Sequence, residues 1–167
     1  YEYTYDSIYR LLESMPVTIK KHKEKWQSKK AEIFGYDLVG NRLTGPELKD
    51  TYTYNEDNQL LTSRKCGYQY DANGNLIRKS KIDDEGEVKS WSYEYDYDNR
   101  LIRVIKFDHD ETKVISFKYD PFGRRIEKTV EEIKDHETKV KTYTYVYDNE
   151  DIILEILTNS KGKKIET

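Results

Sequence analysis

The chain has 167 residues, of which 35% are hydrophobic and 13% aromatic, and its mean hydropathy is −1.00. Its 16 tyrosines exclude a typical disordered composition, which is poor in aromatic residues, and they predict a fold that buries tyrosine faces more than aliphatic volume. The 29 lysines and arginines nearly balance the 32 aspartates and glutamates, and this net charge of −3 argues against nucleic acid as a partner.

Cysteine content and apolar run lengths exclude further classes. Cys66 is the only cysteine, so neither an intrachain disulfide nor a thiolate metal cage is expected. No apolar run approaches the ~20 residues of a membrane helix, so no membrane span is expected. Because the chain begins with Tyr1 in the middle of a pattern, we expect it to be a segment of a longer protein.

A repeated phrase of the form [YF]-x-Y-D, followed by a turn and an apolar pair, runs through the chain. Its seven copies, in chain order, are YTYDSIYRLL from Tyr3, FGYDLVGNRLT from Phe34, YTYNEDNQLL from Tyr52, YQYDANGNLI from Tyr68, YEYDYDNRLI from Tyr93, FKYDPFGRRI from Phe117 and a divergent YVYDNEDIIL from Tyr145. The spacing runs from 16 residues (Asn55 to Asp71) to 31 (Asp6 to Asp37). Such irregularity favours hairpins of unequal strand length over a strict helical solenoid.

The copy from Tyr68 shows how one unit is expected to fold. Tyr68 and Tyr70 are two residues apart, so both rings project from one face of a strand. Asp71 can accept a hydrogen bond from the backbone two residues on, and Gly74 supplies a left-handed conformation. Leu76 then starts the return strand. The phrase therefore predicts a β-hairpin closed by a tight turn.

Turns of two kinds are expected to alternate along the chain. Where the phrase lacks glycine, Asn58 and Asn99 can adopt positive φ in its place. Charged turns at residues 83–87, 108–112 and 134–138 close the opposite ends of the hairpins. The prediction is an all-β fold, an antiparallel meander of about seven hairpin units that covers residues 1–167 and is best defined over 34–130.

Two segments depart from this pattern. Residues 14–33 form a Lys-rich, less regular insertion that contains Trp26. This insertion is expected to form a strand and a long solvated loop. The alternatives are a helix and a segment that contacts an anionic surface. Residues 145–167 form a divergent terminal unit. The repeat-signature residues, all assigned a structural role, are Tyr3, Tyr5, Asp6, Tyr36, Asp37, Gly40, Tyr52, Tyr54, Asn55, Tyr68, Tyr70, Asp71, Gly74, Tyr93, Tyr95, Asp96, Tyr119, Asp120, Gly123, Tyr145, Tyr147 and Asp148.

The phrases YDANGNLIRK and YDPFGRRIEK resemble the YD repeats of the Rhs family, which also occur in ABC toxin B and C components, wall-associated proteins and teneurins. The resemblance covers nearly the whole chain. It implies a curved sheet that spirals into a hollow β-shell, around a C-terminal toxin in Rhs proteins and in a cell-surface adhesion protein in teneurins. It also implies that a self-cleaving core region and a variable effector usually follow, and that this segment is bacterial and secreted or on the cell surface.

Catalytic and metal sites find little support in the sequence. Residues 71–75 place oxygen ligands on alternate positions, but Ile82 stands where a calcium loop needs a glutamate. The three histidines, His22, His109 and His136, have no ligand spacing, and Cys66 has no histidine at a motif spacing. The acids at 83–85 lie on a turn, where two carboxylates are not held across a cleft. No enzyme activity, cofactor or metal is expected.

The tyrosine stripe has two interpretations. Cross-strand aromatic pairs that stabilise a thin sheet are favoured over a surface that stacks on sugars or on unfolded polypeptide. The preferred function is thus a non-enzymatic wall around a toxin or effector polypeptide, in contact with that cargo or with a neighbouring YD-repeat sheet. The alternative is a cell-surface adhesion or carbohydrate-binding module. Open sheet edges also predict self-association.

Overall fold

A computed structural model of the protein describes residues 1–16, 31–45, 51–82 and 85–166. Within these ranges every regular element is a β-strand and every strand pairing is antiparallel. The predicted all-β class with antiparallel hairpins is confirmed. Most of the Lys-rich insertion, including Trp26 and His22, lies outside the described residues. The alternative prediction of a helix falls on the same residues.

The chain divides into two compact units, Tyr1–Lys65 and Cys66–Thr167. In the first unit, strands β1 (Glu2–Tyr5), β2 (Leu11–Met15) and β3 (Glu32–Ile33) form an antiparallel sheet in that order. Strands β4 (Tyr52–Tyr54) and β5 (Leu60–Ser63) form a further hairpin. Two isolated bridges involve the phrase from Phe34: Tyr36 pairs with Arg42 within it, and Thr44 at its end pairs with Thr51.

In the second unit, consecutive strands pair with one another in chain order from β6 to β14. The strands are β6 (Cys66–Tyr70), β7 (Leu76–Ile82), β8 (Val88–Tyr95), β9 (Leu101–Asp108), β10 (Glu111–Tyr119), β11 (Arg125–Lys134), β12 (Glu137–Asp148), β13 (Asp151–Asn159) and β14 (Lys164–Glu166). The sheet is therefore a meander, the topology that short hairpin connections favour.

The two units share a register feature beside the turns. In six of the seven hairpins that carry the tyrosine phrase, the pairing shifts by a bulge just before the second tyrosine, as between Gln69 and Tyr70 or between Lys118 and Tyr119. Tyr70 consequently pairs with Leu76. A bulge adds a residue to one strand and re-aims the side chains beside it, which positions the second tyrosine for the contact described below.

The apolar core is thin. Among the described residues, the buried hydrophobic side chains are Val114, Val130 and Tyr145, which are 7–8% exposed, and none falls below 2%. Many large apolar side chains remain exposed instead, including Tyr97 and Leu38. A sheet with so little buried volume depends more than usual on polar contacts between neighbouring hairpins, because burial of apolar area is the main stabilising contribution in thicker domains.

Candidate functional site

The loop that closes six of the seven tyrosine hairpins is a five-residue structure, named here the YD turn, with Asp or Asn at position one. In the turn at 71–75, Asp71 Oδ1 accepts hydrogen bonds from the backbone N–H of Asn73 at 2.9 Å and of Asn75 at 2.8 Å. The Gly74 N–H donates to the Asp71 carbonyl at 3.1 Å, and the Asp71 N–H donates to the Asn75 carbonyl at 3.0 Å. The carboxylate thus organises the whole loop. The hydrogen bond from the backbone of position three is the one that the sequence predicted.

The same hydrogen bonds recur at other YD turns of both units. In them, Oδ1 of the first residue accepts from the N–H groups of positions three and five; the first residues are Asp6, Asp37, Asn55, Asp96 and Asp120. Position four always has positive φ, and its residues are Tyr9, Gly40, Asn58, Gly74, Asn99 and Gly123. Asn58 and Asn99 adopt positive φ where other turns have glycine, as the sequence predicted. Tyr9 is the exception, since a bulky aromatic residue is strained in this region.

Position five binds the other carboxylate oxygen. Arg10, Arg100 and Arg124 each place Nε 2.6–2.7 Å from Oδ2 of the aspartate in their own turn. In the turn at 71–75, Asn75 Nδ2 donates to Asp71 Oδ2 at 3.0 Å. That side-chain hydrogen bond is the largest influence on Asp71 and lowers the pKa of its carboxyl against the opposing effect of burial. The aspartates are therefore held ionised as acceptors within their own turns.

In five of the seven phrases, the second tyrosine fastens its hairpin to the preceding one. Its hydroxyl donates to the backbone carbonyl of the residue that follows position five of the preceding turn, a contact named here the tyrosine clamp. The O–O distances are 2.7–3.1 Å, and the pairs are Tyr36 with Leu11, Tyr54 with Arg42, Tyr95 with Leu76, Tyr119 with Leu101 and Tyr147 with Arg125. The sequence did not predict this contact, because it depends on register between hairpins of irregular spacing.

Turns that carry arginine at position five make a further contact with the next hairpin. The guanidinium carbon of Arg10, Arg100 and Arg124 lies 4.9–5.4 Å from the ring centroid of Tyr36, Tyr119 and Tyr147, respectively. Each of these rings belongs to the tyrosine that clamps onto the same turn. One arginine thus neutralises its own aspartate and also makes a cation–π contact with the neighbouring hairpin.

Turns that carry asparagine at position five use an amide contact instead. Asn41 Nδ2 donates to Asn58 Oδ1 at 2.8 Å, and Asn75 Nδ2 donates to Asn99 Oδ1 at 2.7 Å. In both cases the acceptor occupies position four of the next YD turn. The residue that supplies positive φ therefore also receives the link from the previous turn.

The last predicted repeat differs from the others, and an unpredicted one replaces it. Asp148 pairs directly with Asp151, so Asn149 and Glu150 form a two-residue turn, although Tyr147 still makes its clamp. Asn159, in contrast, accepts from the N–H groups of Lys161 and Lys163 and is followed by Gly162 at φ 70°, which reproduces the YD turn. The strand before it lacks the tyrosine pair that marks the other turns in the sequence, and the available signal was the run N-S-K-G at residues 159–162.

One face of the second unit's sheet carries aromatic rings interleaved with lysines. Tyr68 pairs with Lys79, which pairs with Trp91, so the three side chains share a face. Lys79 Nζ lies 6.0 Å from the Tyr68 centroid and 5.2 Å from the Trp91 centroid. Tyr145 is the most buried ring among the described residues, and burial raises the pKa of its hydroxyl. These rings lie against cationic side chains of neighbouring strands, whereas the sequence predicted cross-strand pairs of aromatic rings.

The described residues contain no cluster of three or more His, Cys, Asp or Glu side chains suited to a metal ion. Cys66 is half-buried on β6. His109 and His136 lie in the two-residue turns between β9 and β10 and between β11 and β12, and Asp83 and Asp84 lie outside the described residues. Across the described part of the chain, no helix has the length and apolarity needed to span a membrane.

Comparison with known proteins identifies the family. The sequence matches the teneurin YD-shell family over residues 1–165. This chain belongs to the YD-shell family. It is also 31% identical over 130 residues to double-stranded DNA deaminase toxin A of Burkholderia cenocepacia, and 34% identical over 108 residues to the probable deoxyribonuclease RhsA of Dickeya dadantii. The tRNA nuclease WapA of Bacillus subtilis is 30% identical over 128 residues.

These relatives are much longer than the region they share with this chain. The matches cover 77%, 65% and 73% of this YD-shell segment, but only 9%, 7% and 5% of the respective relatives. The predicted membership of the Rhs and YD-repeat family is confirmed, and with it a shell-type structural role for the segment.

Proposed function

We propose that this segment forms part of a non-enzymatic wall that encloses a toxin or effector polypeptide. The observation that carries the proposal is the tyrosine clamp, which joins successive hairpins through O–O contacts of 2.7–3.1 Å in a sheet whose core is thin. Such a sheet can extend hairpin by hairpin without a second layer. A wall isolates its contents by steric exclusion, so the segment itself needs no catalytic group.

The names of the relatives favour a toxic enzyme as the enclosed polypeptide. One is named as a deaminase toxin and two as nucleases, while the shared region is a small fraction of each. The enclosed polypeptide is accordingly an enzyme that is toxic to the cell that makes it. A secreted or cell-surface location in a bacterium, as part of a longer protein, follows from that role.

Limited proteolysis of the intact parent protein tests enclosure. We expect the enclosed polypeptide to resist protease while the wall is intact, and to become sensitive when the clamps are removed in a Tyr95→Phe/Tyr119→Phe variant. Tyr97→Phe is the matched control, since the Tyr97 side chain is fully exposed and makes no clamp. A parent protein whose segments are all cleaved at the same rate without any substitution would contradict the proposal.

Glycan binding is a second candidate, favoured by exposed rings on β1 and at the residue before it. Tyr3 and Tyr5 are 53% and 55% exposed, and Tyr1 stacks on Tyr3 with centroids 6.3 Å apart and planes 16° apart. Tyr93 and Tyr95 are poorer candidates because both are partly buried and Tyr95 makes a clamp. Binding on a glycan array that is lost in Tyr3→Ala/Tyr5→Ala, and kept in Tyr97→Ala, would favour adhesion over enclosure.

A further inference from the structure

The residues at positive φ alternate between glycine and asparagine at the end of the hairpins that carries the YD turns. From the second turn onwards they are, in chain order, Gly40, Asn58, Gly74, Asn99, Gly123, Asn149 and Gly162. Turns with glycine at this place are named here glycine turns, and those with asparagine are named asparagine turns. Because glycine adopts positive φ at no steric cost, the backbone alone does not explain asparagine in every second turn.

The asparagine at this place receives side-chain hydrogen bonds from the glycine turn before it. Asn99 Oδ1 accepts from Asn75 Nδ2 at 2.7 Å and from Asn73 Nδ2 at 3.0 Å. Asn58 Oδ1 accepts in the same way from Asn41 Nδ2 at 2.8 Å. Glycine has no side chain that could accept these bonds. Asparagine therefore supplies both the positive φ and an acceptor for the neighbouring turn.

The third pair of turns is joined in the same direction through a different acceptor. Arg124, which follows Gly123, donates from Nη1 to the backbone carbonyl of Asn149. The first turn, with Tyr9 at position four, lies outside the alternation, and there Arg10 donates to the carbonyl that begins the next turn at 2.9 Å. From the second turn onwards, each of these links runs from a glycine turn to the asparagine turn that follows it.

Position five of the asparagine turns makes different contacts. Arg100 Nε lies 2.7 Å from Asp96 Oδ2 in its own turn, and its guanidinium reaches the next hairpin at the Tyr119 ring. Gln59 Oε1 accepts from Asn55 Nδ2 of its own turn at 2.7 Å. The amide links thus do not continue in the same form from every turn to the next. Two hairpins, one with a glycine turn and one with an asparagine turn, form the repeating unit.

Similar hairpins need a means of selecting the correct neighbour, because a hairpin that skipped one place would form nearly the same backbone contacts. A slip of one place sets glycine turn beside glycine turn and leaves the amide donor without its acceptor. We propose that asparagine at position four is a specificity residue that selects a glycine turn with an amide donor at position five as its preceding neighbour. This role belongs to the sheet itself and is independent of whether the wall encloses a cargo.

Replacement of Asn99 by glycine separates its two roles. If Asn99 served only to adopt its φ of 59°, Asn99→Gly would keep or raise stability. Since Asn73 and Asn75 lose their shared acceptor, we expect the equilibrium constant for unfolding to rise about five- to tenfold instead. Urea unfolding of the 167-residue chain, followed by Trp91 fluorescence in a Trp26→Phe background, measures the change. An unchanged or smaller constant would overturn the proposal.

Asn149→Gly is the matched control. Asn149 also has positive φ, at 52°, but it accepts from Arg124 through its backbone carbonyl, which glycine retains. The control should therefore leave the unfolding constant unchanged or lower it slightly. A rise equal to that of Asn99→Gly would contradict the proposal, because it would show that the side-chain oxygen of position four is not what the Asn99 variant lost.

A double variant tests whether the two positions recognise each other. Asn75→Arg/Asn99→Gly recreates the combination of Arg100 and Gly123 that is found at the next pair of turns. Arginine at position five binds the aspartate of its own turn and the clamping ring, so it needs no acceptor at position four. We expect the double variant to unfold with a constant within about twofold of the unsubstituted chain. A double variant no more stable than Asn99→Gly alone would show that the two positions act separately, and would overturn the proposal.

Discussion

The two ends of strands β8 to β12 are stabilised by different interactions. At the tyrosine end, the aspartate of each YD turn accepts hydrogen bonds from the backbone of the same turn. Tyrosine clamps join adjacent hairpins, and arginines make cation–π contacts with the clamping rings. At the charged end, two-residue turns connect the strands and ion pairs lie beside them: Asp108 with Lys89 at 3.0 Å and with Lys106 at 2.8 Å, and Glu132 with Lys113 at 2.7 Å. Partly exposed ion pairs contribute little. Most of the stability should therefore come from the tyrosine end.

The largest difference in stability between the two ends should appear when a buried ring is removed from the tyrosine end. Tyr145 is 7% exposed and contacts Arg125 with 5.1 Å between guanidinium carbon and ring centroid. We expect Tyr145→Ala to lower the free energy of unfolding by about 3 kcal/mol, because it leaves a cavity in a thin sheet. Phe107→Ala, at the charged end, should cost about 1 kcal/mol or less. Urea unfolding followed by Trp91 fluorescence in a Trp26→Phe background measures both, and equal losses would remove the contrast.

The backbone of the YD turn can be tested with opposite changes at position four. Gly123 has φ 82° and open space where a Cβ would lie, so Gly123→Ala should cost about 1–2 kcal/mol through conformation alone. Tyr9, at φ 64° and 89% exposed, should gain about 0.5–1 kcal/mol on change to glycine. Hydrogen–deuterium exchange of the adjacent strand amides measures both. Changes of the same sign would show that the left-handed position does not limit the turn.

Loss of one clamp should have a moderate effect. Tyr119→Phe removes the hydroxyl that donates to the Leu101 carbonyl at 2.7 Å, and keeps the ring. We expect a loss of about 1 kcal/mol, the usual net value of such a hydrogen bond. Tyr97→Phe removes a hydroxyl from a fully exposed ring and should be neutral. The same urea titration compares them, and a neutral Tyr119→Phe would mean that the clamp accompanies the pairing without strengthening it.

The smallest effect is expected at the charged end and depends on pH. Lys106, and then Lys89, lower the pKa of Asp108 from 3.8 to about 2, and the His109 ring lies beside the same carboxylate. Because the folded pKa is depressed, this contribution is present above pH 3.8 and is lost as the pH falls towards 2. Asp108→Asn should therefore be slightly less stable than the unsubstituted chain at neutral pH, and the difference should disappear near pH 2. A difference that does not change over this range would contradict the assignment.

The sequence predicted what is local and missed what depends on register. Asp71 and Gly74 predicted the turn because aspartate and glycine have strong backbone preferences over a few residues. The carbonyl that Tyr95 reaches, that of Leu76, lies 19 residues away, and variable strand lengths hide such a pairing. Asp148 was grouped with the other turns from its tyrosines, yet its fourth position is Asp151, which continues the strand instead of adopting positive φ. The domain limits within the repeat region remain a prediction.

The clamp also gives the hairpins a direction, with consequences for how such chains change in evolution. A hairpin clamped on both sides, such as the one that carries Tyr119, offers one tyrosine hydroxyl to the hairpin before it and one carbonyl, that of Arg125, to the hairpin after it. Duplication or loss of a whole hairpin preserves this balance, whereas a change of half a hairpin leaves a donor facing no acceptor. The strand length beyond the clamp is free to vary, which is consistent with spacings from 16 to 31 residues between turns. A gene that encodes such units can lengthen or shorten its product in whole hairpins and still specify a continuous sheet.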